Sequence, residues 1–227
     1  MSNALRLENL LQDLPNSSRK LDTRIEVSDL DKNYARLYGR HYYDGSRCQG
    51  YGGYYYDGRW KAVAQRITNI FGIKDSDTIC EIGCAKGFLL YDFTQILKKI
   101  KCIGIDVSLY ALRESIKKEN ILYLHCNAST IPLKDKSIEH TICINTLHNF
   151  LSKKETIQAI SEIERITKRN SYIRIAAYKN NSQKEIIDKW ATAGRCYLHV
   201  DEWRELFEDA GYTGFYDWWH PDNSIKL

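Results

Sequence analysis

The 227 residues carry 33 Lys and Arg against 29 Asp and Glu, a net charge of +4 with both signs mixed along the chain, so a polyanionic partner such as nucleic acid is not implied. Hydrophobic residues at 43% and charged residues at 27% are ordinary globular values; they exclude disordered and fibrous classes and predict one domain with a single sizeable core. No run approaches the roughly 20 apolar residues of a membrane span, and the N-terminus lacks the apolar core of a signal peptide, so the expected address is the cytoplasm, with no membrane partner.

Residues 1–58 read as N-terminal decoration and 59–227 as the main domain. MSNALRLENLLQDLP carries Leu7, Leu10, Leu11 and Leu14 at helical spacing and predicts a short amphipathic helix ending near Pro15. The polar PNSSRK follows, and Ser28 with Asp31 reads as a capping box opening a second helix through about Arg40. GYGGYYYDGRW at 50–60 then places four glycines and four tyrosines in eleven positions. RWKAVAQRITNIFGI brings Val63, Ile67, Ile70 and Phe71 to one helical face.

From residue 77 strand-like and helix-like pieces alternate: DTICEIG, FLLYDFTQILKKI, KCIGIDV, LYALRESIKK, ILYLHC and SIEHTICIN. SKKETIQAISEIERIT, opened by the capping box Ser152 to Glu155, and SYIRIAAY come next. The tail DEWRELFEDAGYTGFYDWWHP adds a helix, a glycine stop at Gly211 and one more strand. Short apolar strands between amphipathic helices demand a parallel sheet covered on both faces, because right-handed crossovers place helices on each side. The fold class is therefore α/β, three-layered and Rossmann-like.

Seven cysteines, an odd number scattered along the chain, suit a reducing compartment and mostly buried thiols. Cys80 and Cys84 stand four apart, but the position three beyond Cys84 is Gly87, so an iron–sulfur spacing is missing and no metal is expected.

The strongest chemical signal is ICEIGCAKGFLL, a buried strand running through Glu81, Gly83, Ala85 and Gly87 directly into a helix. Gly83 permits a tight turn, Ala85 keeps the backbone close to a ligand, and Gly87 lets helix and strand pack. Asp106 ends the next strand about twenty residues on, where a carboxylate meets the two hydroxyls of a ribose. A dinucleotide site and an S-adenosylmethionine site share these features. The acid Glu81, two residues before the first glycine, suits a cationic methionine end better than a diphosphate.

Over roughly residues 59–219 the sequence resembles the class I S-adenosylmethionine-dependent methyltransferases. EIGCAKG looks like their first motif, Asp106 like their ribose-binding acid, and CNASTIPLKDKSIEHTICINTLHNF like the segment entering their fourth strand. The resemblance implies a seven-stranded, mostly parallel sheet whose last strand runs antiparallel, S-adenosylmethionine as cofactor, and Cys84, Val107, Asn127, Ala128 and Asn145 on the cofactor side. Asn127 stands where that family usually has Asp, and its amide oxygen can still accept from the adenine amino group. GYGGYYYDGRW, INTLHN and HVDEW with AGYTG are similar to a subgroup encoded among bacterial surface-polysaccharide genes. That likeness implies a small-molecule acceptor: a sugar, a nucleotide-activated sugar or a phosphoramidate-type group.

The cofactor of this fold lies across the carboxyl ends of the strands, and the Gly/Tyr segment is the available lid. Aromatic faces favour a sulfonium, which makes Tyr51, Tyr54 and Tyr56 candidates, and Arg59 offers a fork for a carboxylate or an anionic acceptor. Packing of a Gly-rich loop is the other reading of these tyrosines. A hydroxyl acceptor needs a base, for which His148 at the end of the fourth strand is the first candidate and His199 the second; the alternatives are a structural hydrogen bond for His148 and a packing role beside a helix N-cap for His199. Tyr197 and Arg195 are weaker candidates for holding a phosphate or carboxylate. RNA methylation and a non-catalytic nucleotide-binding or interaction protein stay open, as does the oligomeric state, a homodimer among the options.

Overall fold

The computed structural model describes residues 5–14 and 27–221. The chain begins with strand β1 (Arg6–Leu7), followed by a turn that buries Leu10 and Leu11. The helix expected here does not form: with its backbone extended, the segment pairs at the sheet edge, and Leu7 faces solvent. Pro15 and the PNSSRK stretch lie outside the described residues.

The second expected helix is two. Helix α1 (Asp29–Arg36) is opened by Ser28 with the predicted capping box, and α2 (Arg40–Asp44) follows after a break at Tyr38, whose φ is +48°. After the Gly/Tyr segment come α3 (Lys61–Phe71), β2 (Thr78–Ile82), α4 (Phe88–Ile96), β3 (Lys101–Asp106), α5 (Leu109–Arg113), β4 (Ile121–His125) and β5 (Ile138–Ile144). A 3-10 turn at Leu147–Asn149 leads to α6 (Lys153–Ile166), β6 (Thr167–Tyr178) and α7 (Asn181–Trp190), the last a helix in NNSQKEIIDKW that the sequence reading passes over. The chain closes with β7 (Leu198–His199), α8 (Val200–Asp209) and β8 (Phe215–Trp219).

The sheet order is β1-β8-β6-β5-β2-β3-β4, with the short β7 paired to β6. Side chains alternate between two faces, as period-2 strands require. Cys80, Ile82, Cys143, Ile173 and Ile175 meet α6 and α8 through Ile160, Ile163, Trp203 and Phe207, whereas Ile79, Cys102, Ile142 and Tyr172 meet α3 and α4 through Val63, Ile67, Leu90 and Phe93. Cys80 and Cys84 thus pack on opposite faces of the sheet. This is the expected three-layer, Rossmann-like arrangement.

One detail differs from the implied architecture. Strand β8 runs parallel to β6, with Tyr172 opposite Phe215 and Ala176 opposite Trp219, and every pairing among the described residues is parallel. The cause is the crossover: α8 carries the chain back to the starting end of the sheet before β8 begins, whereas a reversed strand needs a hairpin after it. Residues 222–227, where such a strand would have to continue, are not described.

The order of strands reverses between β2 and β5, whose onward connections leave in opposite directions. A crevice opens at the carboxyl ends of strands at such a switch point, and this is where ligands enter folds of this kind.

Candidate active site

The turn after β2 doubles back on the tip of β3. The N–H groups of Gly83 and Cys84 donate to the carbonyl of Ile105 at 2.7 and 3.0 Å, and the N–H of Ala85 donates to Asp106 Oδ2 at 2.8 Å. The turn holds Gly83 at φ +75°, Ala85 at +49° and Gly87 at +73°. A side chain at Gly83 would run into Thr146 Oγ1 just beyond β5, and one at Gly87 into the hydroxyl of Tyr123 on β4. The two glycines therefore let three strand tips converge. Ala85, its N–H bonded to Asp106, holds a left-handed conformation that costs an L-residue about 1–2 kcal/mol.

Two acids sit at this convergence. Asp106 is nearly buried, with Oδ2 taken by Ala85 N–H and Oδ1 by Ser108 N–H at 2.7 Å. Burial pushes its carboxyl above the ordinary range, against the pull of those two N–H groups. Glu81, buried at the end of β2, has an Oε2 with no hydrogen-bond partner among the described residues, and burial, then the neighbouring Asp106, push its carboxyl well up. Neither acid makes an ion pair among the described residues. An uncompensated pair of buried carboxyls fits a ligand that brings its own positive charge and hydroxyl donors.

The cavity above the turn is lined by Gly83, Ala85, Asp106, Val107, Asn127, Ala128 and Asn145, seven of the residues expected on the cofactor side, and by Thr146. Glu81, Cys84 and Gly87 do not line it; Cys84 packs into the core. Asn127 differs in detail from its expected use. Its Oδ1 already accepts from Ser129 N–H at 3.0 Å, and its Nδ2 donates to Glu155 Oε1 at 3.3 Å. Glu155 itself lines the cavity, which its sequence signal, the third position of a capping box, does not announce.

The roof is aromatic: the expected Tyr51 is joined by three tyrosines that the sequence analysis does not single out. Tyr38, Tyr42, Tyr43 and Tyr51 line the cavity. Tyr42 lies edge-on to Tyr38 and Tyr51, with ring centroids 5.4 and 5.2 Å apart, and Tyr43 stacks on Tyr51. Ser108 Oγ donates to the Tyr38 carbonyl and fixes the break between α1 and α2 over the tip of β3. Tyr54 stacks on Phe88 outside the cavity, Tyr56 donates its hydroxyl to Asp92 at 2.6 Å, and Arg59 is engaged at the surface by Asp57. Tyr54, Tyr56 and Arg59 therefore do not line this cavity: α4 offers Phe88 and Asp92 to the outer limb of the segment, and α2 brings Tyr42 and Tyr43 to the inner wall. The readable signal was the cluster of tyrosines at 38, 42 and 43 just before the Gly/Tyr segment. Burial raises the Tyr38 phenol to about 12 and those of Tyr42 and Tyr43 well above their ordinary value, so these hydroxyls stay protonated near neutrality.

Neither expected base reaches the cavity wall. His148 is buried in the 3-10 turn, stacks on Tyr197 with centroids 5.0 Å apart, and accepts at its carbonyl from the N–H groups of Arg195 and Cys196. Burial lowers its imidazole to about 4, which leaves a weak base at neutral pH. His199 caps α8: its Nδ1 accepts from Asp201 N–H, its N–H donates to Glu202, and its Nε2 lies 3.2 Å from the Lys179 carbonyl. Both histidines are held by structural contacts instead.

The burial of His148 predicts acid sensitivity. The unfolded chain takes its proton near 6.5 and the folded chain only near 4, so this group's contribution is whole above pH 6.5 and is lost as pH falls through that window. The loss is about 3 kcal/mol. Urea unfolding at pH 7 and pH 4.5 should show the wild type losing more stability than His148→Phe, which keeps a ring against Tyr197; equal losses would show that His148 does not titrate with folding.

Sheet order, glycine turn and the acid on the neighbouring strand define a Rossmann-like methyltransferase fold. The methyltransferase domain family matches residues 80–175, which run from β2 to β6 and contain the turn, Asp106, Asn127 and Asn145 but not the aromatic roof. No curated protein matches the chain by sequence. Among solved structures, a chain in the complex of the Haloferax volcanii Trm112 methyltransferase activator with a methyltransferase superimposes with a TM-score of 0.51 at 19% identity, covering 82% of this chain and 77% of that one. An S-adenosylmethionine-dependent methyltransferase from Aquifex aeolicus gives 0.50 at 22% identity, over 65% and 78%. The [4+2]-cyclase SpnF gives 0.55 at 17% identity, over 66% and 56%. At these identities the likeness establishes the fold.

Among the described residues no helix is long and apolar enough to cross a membrane.

Proposed function

We propose that the chain binds S-adenosylmethionine and transfers its methyl group to a small acceptor of carbohydrate type, a sugar, a nucleotide-activated sugar or a phosphoramidate-type group of a bacterial surface polysaccharide, in the cytoplasm. The observation that carries the cofactor reading is Asp106, a buried acid that lines the cavity under the tyrosine roof, with the buried Glu81 behind it and no ion pair to either among the described residues. The acceptor class rests on the likeness of the Gly/Tyr segment and the INTLHN and HVDEW stretches to the polysaccharide-associated subgroup.

In this reading Asp106 holds the ribose hydroxyls through lone pairs its two N–H partners leave free. Asn127 and Glu155 face the adenine edge, and Glu81 offsets the positive end of the ligand. S-adenosylmethionine, when bound, supplies an electrophilic methyl carbon on a sulfonium. The chain's own contribution is to exclude water with Tyr38, Tyr42, Tyr43 and Tyr51 and to hold the acceptor in line, since positioning is the largest saving available to a displacement of this kind. Those phenols serve as neutral hydrogen-bond donors and as aromatic faces for positive charge, each such contact contributing about 0.5–2 kcal/mol.

Isothermal calorimetry tests the first half: S-adenosylmethionine and its demethylated product should both bind the wild type, and NADH should not. Heat with NADH alone would return the turn to the dinucleotide reading. The second half is tested by methyl-labelled cofactor with a panel of nucleotide sugars. Because SpnF, a [4+2]-cyclase, shares the fold, binding without label transfer to any small acceptor would sink the transferase assignment while leaving the cofactor site intact.

A further inference from the structure

Lys86 lies in the glycine turn, one residue before Gly87, and is 6% exposed although it carries an ammonium group. Its Nζ donates to Asp44 Oδ1 at 2.9 Å, to Asp44 Oδ2 at 2.7 Å and to the carbonyl of Tyr54 at 3.0 Å, which accounts for all three of its protons. Asp44 is the last residue of α2, the helix that carries Tyr42 and Tyr43 to the cavity. The same carboxylate accepts the hydroxyl of Tyr110 on α5 at 2.7 Å and the N–H of Tyr54 at 3.1 Å. One ion pair, buried on the Lys86 side and half-buried on the Asp44 side, therefore joins the glycine turn, the helix after β3 and both limbs of the tyrosine segment.

Such a pair is a poor device for stability, because removing two charges from water costs about as much as their attraction returns, and well-packed apolar residues often do as well. What it does supply is a fixed geometry. Tyr43, Ala85 and Ala111 form a small apolar cluster with Tyr42, Tyr51, Tyr54 and Tyr110 around the pair, set apart from the two main cores, and apolar contacts alone leave the register of such a cluster loosely defined. Burial works to raise the Asp44 carboxyl, but hydrogen bonds from Lys86, Tyr110 and the Tyr54 N–H outweigh it and hold the group below the ordinary carboxylate range, so Asp44 stays ionised near neutrality.

We propose that Lys86 is a positioning residue for cofactor binding: from inside the glycine turn it clamps Asp44, and through Asp44 it sets the tyrosine roof in the one register that closes the cavity, without touching the cofactor itself. The proposal rests on the cofactor reading given above. It makes the coupling reciprocal, since whatever orders the turn orders the roof, and a roof out of register lowers apparent affinity by the fraction of molecules that remain closed.

The test uses the full chain as Lys86→Met, Asp44→Leu and the double variant, with amide hydrogen exchange read in the cofactor-free protein and affinity for the demethylated cofactor read by calorimetry. Lys86→Met should speed exchange across residues 38–56 by about tenfold or more while β2, β3, β5 and β6 keep wild-type protection, and should weaken binding by a similar factor. The double variant removes both charges of the pair, so it should unfold at the wild-type temperature yet keep the weakened binding. Unchanged exchange in 38–56 in Lys86→Met overturns the clamp, as does faster exchange spread over the whole sheet, which would make the pair a general structural element. Full recovery of affinity in the double variant overturns the claim that ion-pair geometry, not packing, sets the register. Should the wild type bind no cofactor, the reading on which the proposal rests has failed, and the exchange measurement still decides whether Lys86 holds the roof.

Discussion

Asp106→Ala is expected to weaken S-adenosylmethionine binding by about 10- to 150-fold, the equivalent of about 1.5–3 kcal/mol for a charged hydrogen-bond partner. The same substitution strips the N–H groups of Ala85 and Ser108 of their acceptor, in a turn where Ala85 already holds a left-handed conformation. Stability should fall with affinity, so Asp106→Asn is the sharper variant. Its amide oxygen can keep one of the two N–H bonds, and it removes a buried charge whose carboxyl is already pushed up by burial. The sign follows from that shift: a raised carboxyl binds protons more tightly in the folded chain, so its cost to folding appears as pH rises through the ordinary carboxylate range and persists above it. At pH 8, Asp106→Asn should fold about as well as the wild type and still bind the cofactor more weakly. Calorimetry beside urea unfolding separates the two effects, and wild-type affinity in a folded Asp106→Asn protein would remove Asp106 from the site.

Gly83→Ala should be among the most destabilising single substitutions in the chain. At φ +75° an alanine bears about 1–2 kcal/mol of backbone strain. Its methyl would also overlap Thr146, whose backbone sits at the tip of the paired strand, and overpacking of that kind adds about 1–3 kcal/mol. Two controls divide the effect. Gly72→Ala, at φ +61° with nothing near the added methyl, should lose only the backbone part. The double variant Gly83→Ala/Thr146→Ala should recover most of the packing part, read as a coupling energy in a thermodynamic cycle from urea midpoints. A Gly83→Ala protein as stable as Gly72→Ala would mean that the strand tips move apart freely, and the turn would then lose its standing as a rigid cradle.

The sequence was most informative where local rules and the global arrangement agree. Alternating short apolar strands and amphipathic helices led to a three-layer parallel sheet, and β2 to β6 stand close to their expected positions. Gly83, Ala85, Asp106, Val107, Asn127, Ala128 and Asn145 were named as neighbours of one ligand, and the fold gathers all seven on one cavity. Strand–turn–helix chemistry is local and regular, so spacing along the chain carries it. Less could be read where a residue's partner is remote. Leu7 to Leu14 have helical spacing, but an edge of the sheet was free to take Arg6 and Leu7 as a strand. Glu155 looked like the third residue of a capping box, and its N–H does donate to the cap Ser152, yet its side chain accepts from Leu151 N–H and Asn127 and lines the cavity.

The tyrosines draw the division most clearly. Composition alone determined that an aromatic, glycine-jointed segment precedes the first core strand, because phenols on so flexible a backbone need a surface to pack on. Which rings line the cavity is a matter of tertiary contacts: Tyr54 packs on Phe88 and Tyr56 bonds Asp92, both of α4, whereas Tyr42 and Tyr43 line the cavity beside Asp44, which Lys86 holds. Likewise a histidine after the fifth strand of the chain invites a catalytic role on paper, and only burial against Tyr197 makes His148 a neutral packed ring. Local chemistry follows from neighbours in the chain, whereas desolvation and side-chain direction follow from contacts across it.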